Sequence, residues 1–209
     1  MGDWLAHVEA WAQTPEGVAE EAAWRLEVER DEKASAARRA KEAFEIAGIP
    51  ERYRQLILAP SDTKAMAAVR RLDSASGIVV LSGGTGCGKT VAACWWAWAR
   101  GGVFEKAGKL SRRSHWDDTI DRLIRTPALA IDDLGVEYQD AKGFFSSLLD
   151  ELVDTRYENN RATLITTNLG RDDFRARIGG EKGRIASRVR GDGAFISISD
   201  SDMRGATAA

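Results

Sequence analysis

The run Gly77-Ile78-Val79-Val80-Leu81 leads, one residue on, into Gly83-Gly84-Thr85-Gly86-Cys87-Gly88-Lys89-Thr90, and Thr90 to Arg100 then reads as a helix. A short β-branched run bounded by glycines makes a buried strand. The octet fits G-x-x-x-x-G-K-[ST] in full, in the strand–loop–helix setting that gives this pattern its meaning. Its glycines let backbone N–H groups turn inward around an anion. The helix N-terminus adds partial positive charge. The pattern assigns Lys89 to the β- and γ-phosphates of a nucleotide and the Thr90 hydroxyl to Mg²⁺. A glycine-rich turn with a chance lysine is the bland alternative, and the flanking strand and helix weigh against it.

The remainder of the chain alternates in the same way. Short apolar strands are expected at Gly102 to Phe104, Ala128 to Ile131, Ala162 to Thr167 and Ala194 to Ile198. Helices are expected at Asp62 to Leu72, Ser114 to Arg125, Ala141 to Glu158 and, broken by glycines, Asp172 to Val189. Such alternation argues for an α/β domain with a parallel sheet covered on both faces. In open sheets of this kind ligands sit beyond the strand C-terminal ends. Asp132-Asp133 follows one of those strands, and two adjacent carboxylates there call for a neutralising cation. Asp132 suits Mg²⁺ held through water, and Asp133 suits polarising an attacking water. The alternative is a solvated pair on a loop. Asn168 ends the next strand, where its amide can orient that water or touch the γ-phosphate. An asparagine in a left-handed turn reads equally well at this position.

Composition excludes several classes. The net charge of −2 over 209 residues gives no global basic field. No run of about 18 apolar residues is present, so no membrane span is expected. The start, Met1-Gly2-Asp3-Trp4, lacks a secretory apolar core. Cys87 and Cys94 are too few for a zinc site. Cytoplasmic residence is the expectation.

Residues 1 to 47 read as a helical segment. Trp4, Leu5, Val8 and Trp11 fall at helical spacing. Thr14-Pro15-Glu16 is a helix start, with a capping hydroxyl, Pro in the first turn and an acid near the positive end of the dipole. Glu20 to Ala47 is rich in Ala, Glu, Arg and Lys, and Gly48-Ile49-Pro50 ends the segment. Trp4, Trp11 and Trp24 are either partner anchors or contacts to the chain's own α/β domain. Trp95, Trp96 and Trp98 read as packing on the cradle helix.

Several stretches together resemble the DnaC/DnaI-type helicase loaders of the AAA+ class. They are Ile131-Asp132-Asp133-Leu134-Gly135, Thr166-Thr167-Asn168-Leu169, Leu149 to Tyr157, Gly48-Ile49-Pro50-Glu51-Arg52-Tyr53, Arg184-Ile185-Ala186-Ser187-Arg188-Val189 and Asp202-Met203-Arg204. IstB-type transposition helpers share most of them. The resemblance covers about residues 48 to 204 and leaves 205 to 209 as a loose tail. It implies a three-layer P-loop NTPase domain on a five-stranded parallel sheet, with the cradle strand in the middle and no sizeable helical lid. It implies ATP as the nucleotide, and self-association into a ring or spiral. Arg188, with Arg184 beside it, would complete a neighbouring subunit's ATP site, and Arg204 would contact phosphate in its own. The two helix arginines, at i and i+4, can share one face.

The resemblance also implies partners: a replicative helicase gripped by the N-terminal segment, and single-stranded DNA. Lys106, Lys109, Arg112, Arg113 and His115 near Trp116 form a basic stretch beside an aromatic, as such binding needs. An ordinary solvated loop looks the same. No base-reading motif is present, so contacts with DNA should depend only weakly on its sequence. Against the loader stand two other readings, a transposition helper ATPase and a nucleotide-switched adaptor with little turnover.

Overall fold

The computed structural model describes residues 10–59, 62–72, 77–112, 118–135, 144–178 and 183–199. The chain divides into two compact units, Met1–Ala43 and Phe44–Ala209. Among the described residues, no helix is long and apolar enough to cross a membrane.

The first unit is dominated by α1 (Pro15–Ile46), which runs on past the boundary. It begins as the capping signal predicts: Gly17 N–H donates to Thr14 Oγ1 at 3.1 Å, and Glu16 lies in the first turn. Arg25 donates to Glu21 one turn earlier at 2.6 Å. Trp11 and Trp24 are 45% and 64% exposed.

The second unit holds five strands: β1 (Ile78–Gly83), β2 (Val103–Lys106), β3 (Ala128–Leu134), β4 (Ala162–Thr167) and β5 (Ala194–Ile198). All pair in parallel, in the order β2-β3-β4-β1-β5. The cradle strand β1 is interior but not central. β2 and β3 both lie on its β4 side and only β5 on the other, so β4 holds the middle place.

Strand alternation sorts the core into two layers. Val79, Leu81, Ala128, Ala130 and Leu164 join one cluster with α2 (Glu51–Leu58), α3 (Lys64–Arg70) and α4 (Lys89–Ala99). Ile78, Val80, Leu129, Ile131 and Ile165 join the other, with α5 (Ala107–Leu110), α6 (Asp118–Arg125), α7 (Phe144–Glu158), α8 (Arg171–Arg177) and α9 (Arg184–Gly191). Trp96 is buried, and Trp95 and Trp98 pack at the edge of the first layer, with Trp98 stacked on Phe44 at 5.2 Å. The helices α2 and α5 carry no separate sequence signal. In place of the expected helix from 172 to 189 there are two helices, α8 ending at Arg177 and α9 starting after Gly183.

One buried charge ties the second layer together. Arg156 on α7 is fully buried and donates to the carbonyls of Leu123 (2.5 Å), Ile124 (3.2 Å), Thr126 (2.8 Å) and Ala162 (2.6 Å), and to Thr163 Oγ1 (3.0 Å). These acceptors are the C-terminal end of α6, the turn after it and the first residues of β4. A cation satisfies helix-end carbonyls well. Burial, reinforced by Arg161, pushes the guanidinium down to about 9, and it stays charged at neutral pH.

Candidate functional site

The cradle connects β1 to α4, and its conformation explains its glycines. Gly86 and Gly88 have φ of 83° and 84°, in the left-handed region. A Cβ at Gly88 would also meet Thr63 Oγ1 at 3.2 Å. The Cys87 side chain is fully buried in the core, so what this residue offers a phosphate is its backbone. Gly84 and Thr85 are exposed at the loop's crest.

Lys89 is 6% exposed. Its ammonium donates to the Gly83 and Gly84 carbonyls, both at 2.8 Å, and to Asn168 Oδ1 at 3.0 Å. Cys87 Sγ lies 3.6 Å away. Three donors thus meet three oxygens within the loop and the end of β4. A phosphate oxygen at the crest would take over those donors with the gain of a charge-assisted bond.

Asp132 is buried, and its carboxylate is held from two sides. Thr166 Oγ1 donates to Oδ1 at 2.7 Å, and Thr90 Oγ1 donates to Oδ2 at 3.3 Å. Burial pushes this carboxyl above its ordinary 3.8, Thr166 opposes the shift, and the Asp133 charge adds to it. A hydroxyl and a buried carboxylate facing each other, with the charge uncomfortable as it stands, fit Mg²⁺ that takes its other ligands from phosphate and water. Among the described residues no cluster of three or more His, Cys, Asp or Glu side chains forms a metal site of protein groups alone.

A β-bulge separates the two carboxylates. Ile131 pairs with Ile165 and Leu134 with Thr167, so β3 spends one extra residue there. Unbroken alternation would point residue 133 into the layer that holds Leu129 and Ile131. Leu134 takes that place instead. Asp133 is left at φ 64° and part-exposed, its N–H donating to Thr166 Oγ1 at 3.0 Å. A non-glycine residue in this region is strained, and such strain collects at functional sites. Asn168 Nδ2 reaches Asp133 Oδ1 at 3.4 Å.

Cradle lysine, both carboxylates, Thr90 and Asn168 therefore form one constellation at the C-terminal ends of β1, β3 and β4. Three hydroxyls were missed. Thr166 links the Asp132 carboxylate to the Asp133 backbone N–H. Thr167 Oγ1 donates to Leu134 O at 2.7 Å and accepts from Leu169 N–H at 3.1 Å, and Ser82 Oγ donates to Leu169 O at 2.6 Å. Together they fix the turn that presents Asn168. The available signal was a polar hydroxyl at the end of each otherwise apolar strand.

Arg184 and Arg188 lie apart from this constellation's hydrogen bonds, on α9. They share a face, as their spacing predicts, and both engage Asp154 on α7. Arg204 and the tail fall outside the described residues, as do Trp4, Arg113, His115 and Trp116. Of the remaining basic stretch, Lys109 pairs with buried Glu105 at 3.3 Å, while Lys106 and Arg112 are exposed.

Replacing Asp132 gives a stability test with a clear sign. A carboxyl raised in the folded chain contributes stability below its unfolded value and loses it as pH rises through the folded one. At neutral pH the Asp132 charge is therefore a burden. Asp132→Asn keeps the shape and should stabilise the nucleotide-free chain by about 1 kcal/mol, read as a raised melting temperature. The gain should shrink towards pH 4. Stabilisation by Mg²⁺ with nucleotide should vanish in the same variant.

No protein-family model matches the chain, and no curated protein matches it. Solved structures do. A DnaC helicase loader is 22% identical over 72% of this chain and 100% of its own, with a TM-score of 0.55. DnaI is 21% identical over 72% of this chain and 93% of its own, at 0.52. The replication initiator DnaA, bound to AMPPCP and single-stranded DNA, is 17% identical over 66% of this chain and 44% of its own, at 0.50. The likeness is one of architecture: the chain carries the α/β fold of these AAA+ P-loop proteins.

Proposed function

We propose that this chain is a Mg²⁺-dependent ATPase of DNA replication that loads a replicative helicase, with its ATP site completed by a neighbouring subunit. The observation that carries the ATPase reading is the constellation itself. Lys89, Thr90, Asp132, Asp133 and Asn168, drawn from the start of α4 and the ends of β3 and β4, are joined by hydrogen bonds, through Thr166, into one cluster beside the cradle. Lys89 and the loop N–H groups bind the phosphates, while Thr90 and Asp132 hold Mg²⁺. Asp133, part-exposed beside the Asn168 amide, accepts a proton from the attacking water. Arg188 and Arg184 stabilise charge on the γ-phosphoryl group of the adjoining protomer in a ring or spiral. Arg204 contacts phosphate in its own site.

The loader role rests on the likeness to DnaC and DnaI and on the sequence stretches shared with their type. In this reading residues 1–47 grip the helicase, with exposed Trp11 and Trp24 as anchors. Residues 48–204 form the ATPase domain, and 205–209 form the tail. Single-stranded DNA passes over Lys106, Arg112 and their neighbours, and the protein works in the cytoplasm.

Pull-down against a replicative helicase tests the role. Capture that depends on residues 1–47 is expected. Capture of a transposase instead would move the chain to the transposition helpers. Turnover of ATP should rise with single-stranded DNA; binding without turnover would leave a switched adaptor. Arg188→Ala should lower turnover about 100-fold with nucleotide binding intact, measured as phosphate release against nucleotide titration.

A further inference from the structure

The two arginines are held by a single carboxylate whose place in the chemistry has no counterpart in the cradle. Asp154 lies on α7 with its side chain 14% exposed. Its Oδ1 accepts from Arg188 Nε at 3.1 Å and Nη2 at 3.0 Å, and its Oδ2 accepts from Arg184 Nη1 at 3.2 Å. Arg188 also lies over the Tyr157 ring at 4.5 Å. The Tyr157 hydroxyl in turn donates to Asp192, just past α9, at 2.6 Å. The Arg188 guanidinium is thus fixed along one edge and one face.

Each guanidinium has five N–H donors in a planar fork. Asp154 engages the Nε edge of Arg188 and one nitrogen of Arg184. The Nη1 end of Arg188 is not used by this carboxylate. The side chains are 36% and 66% exposed, so water reaches them. Asp150, one turn earlier on α7, faces Arg184 as well, and Glu158 faces Arg188 from one turn later. A half-exposed ion pair of this type adds little to fold stability. What it does is restrict direction: long side chains that would sample many rotamers are confined to one.

We propose that Asp154 is a positioning residue, which holds Arg188 and Arg184 so that the guanidinium ends turned away from it face a phosphoryl group bound in the next subunit. The inference rests on the trans-completed ATP site of the proposed function. It gives a role to a residue of the Leu149 to Tyr157 stretch that had carried none.

The experiment measures Mg·ATP turnover and melting temperature for wild type, Arg188→Ala, Asp154→Asn and Asp154→Glu. Asp154→Asn should lower kcat about 10- to 100-fold, with KM and the melting temperature close to wild type. Asp154→Glu keeps the charge and should recover part of the loss. Mixing Asp154→Asn with Lys89→Ala chains should restore turnover, because an intact cradle then meets an intact arginine pair. Slow Arg188→Ala beside normal Asp154→Asn would overturn the inference and leave the trans site standing. Normal Arg188→Ala, or a wild type without turnover, would overturn the trans reading and the inference with it. An Asp154→Asn chain that fails to fold, or an Asp154→Glu chain no faster than Asp154→Asn, would mark Asp154 as structural and overturn it too.

Discussion

Lys89→Ala should lower Mg-dependent ATP turnover by about 10³-fold and remove detectable nucleotide binding at micromolar concentrations. The expectation follows from where the ammonium sits. It is almost fully buried and surrounded by the Gly83 and Gly84 carbonyls and the Asn168 amide oxygen. In that low-dielectric setting its attraction to a phosphate is much larger than in water. No other cation among the described residues shares those hydrogen bonds. Lys89→Arg should recover little, because a planar fork does not fit a pocket shaped round a point charge. Nucleotide titration and phosphate release measure the two effects separately. The melting temperature should move little, since the loop is open to water at Gly84 and its freed carbonyls can be hydrated. Wild-type affinity in Lys89→Ala would remove the cradle from the binding account.

Arg156→Leu should destabilise the chain by about 3–5 kcal/mol. Four backbone carbonyls and one hydroxyl depend on this guanidinium, and its surroundings are too buried for water to replace it. Each buried acceptor left without a donor costs about 1–3 kcal/mol, and the added apolar contact of leucine offsets part of the sum. Against a typical total of roughly 5–15 kcal/mol, the loss is large. Arg156→Lys should be nearly as severe, since one ammonium cannot span acceptors on α6 and β4 together. Denaturant midpoints with an unchanged slope would confirm a stability effect. A midpoint at the wild-type value would mean that the carbonyls find other partners.

These two residues mark what was legible in the sequence. Lys89 lies in a contiguous pattern whose spacing encodes its chemistry, and the strand before it and helix after it were plain from composition. The same holds for the strands Ala162–Thr167 and Ala194–Ile198, whose limits match the expectation residue for residue. Arg156 stands within the Leu149 to Tyr157 stretch, yet nothing local tells its side chain from a surface arginine on a helix. Its partners are 6 to 33 residues away and meet only once the sheet is built. The bulge was hidden for a similar reason. Asp132-Asp133 reads as a pair at a strand end, but β3 continues to Leu134. Only pairing with β4 reveals that Leu134, not Asp133, fills the apolar layer. The aim of Arg188 and Arg184 depends on a helix some 30 residues earlier, which spacing along α9 does not report.

The Asn168 amide has one more implication. Its oxygen faces an ammonium and its nitrogen faces a carboxylate, so the two ends of the group are not interchangeable. An aspartate there would satisfy Lys89 and repel Asp133; a lysine or arginine would do the reverse. Position 168 thus demands a side chain that is acceptor and donor at once, on a stem of one carbon. When a phosphate draws Lys89 away, the amide oxygen loses its donor while the nitrogen keeps its acceptor. Occupancy of the cradle would then be registered, through the loss of one hydrogen bond, on the side chain that touches Asp133.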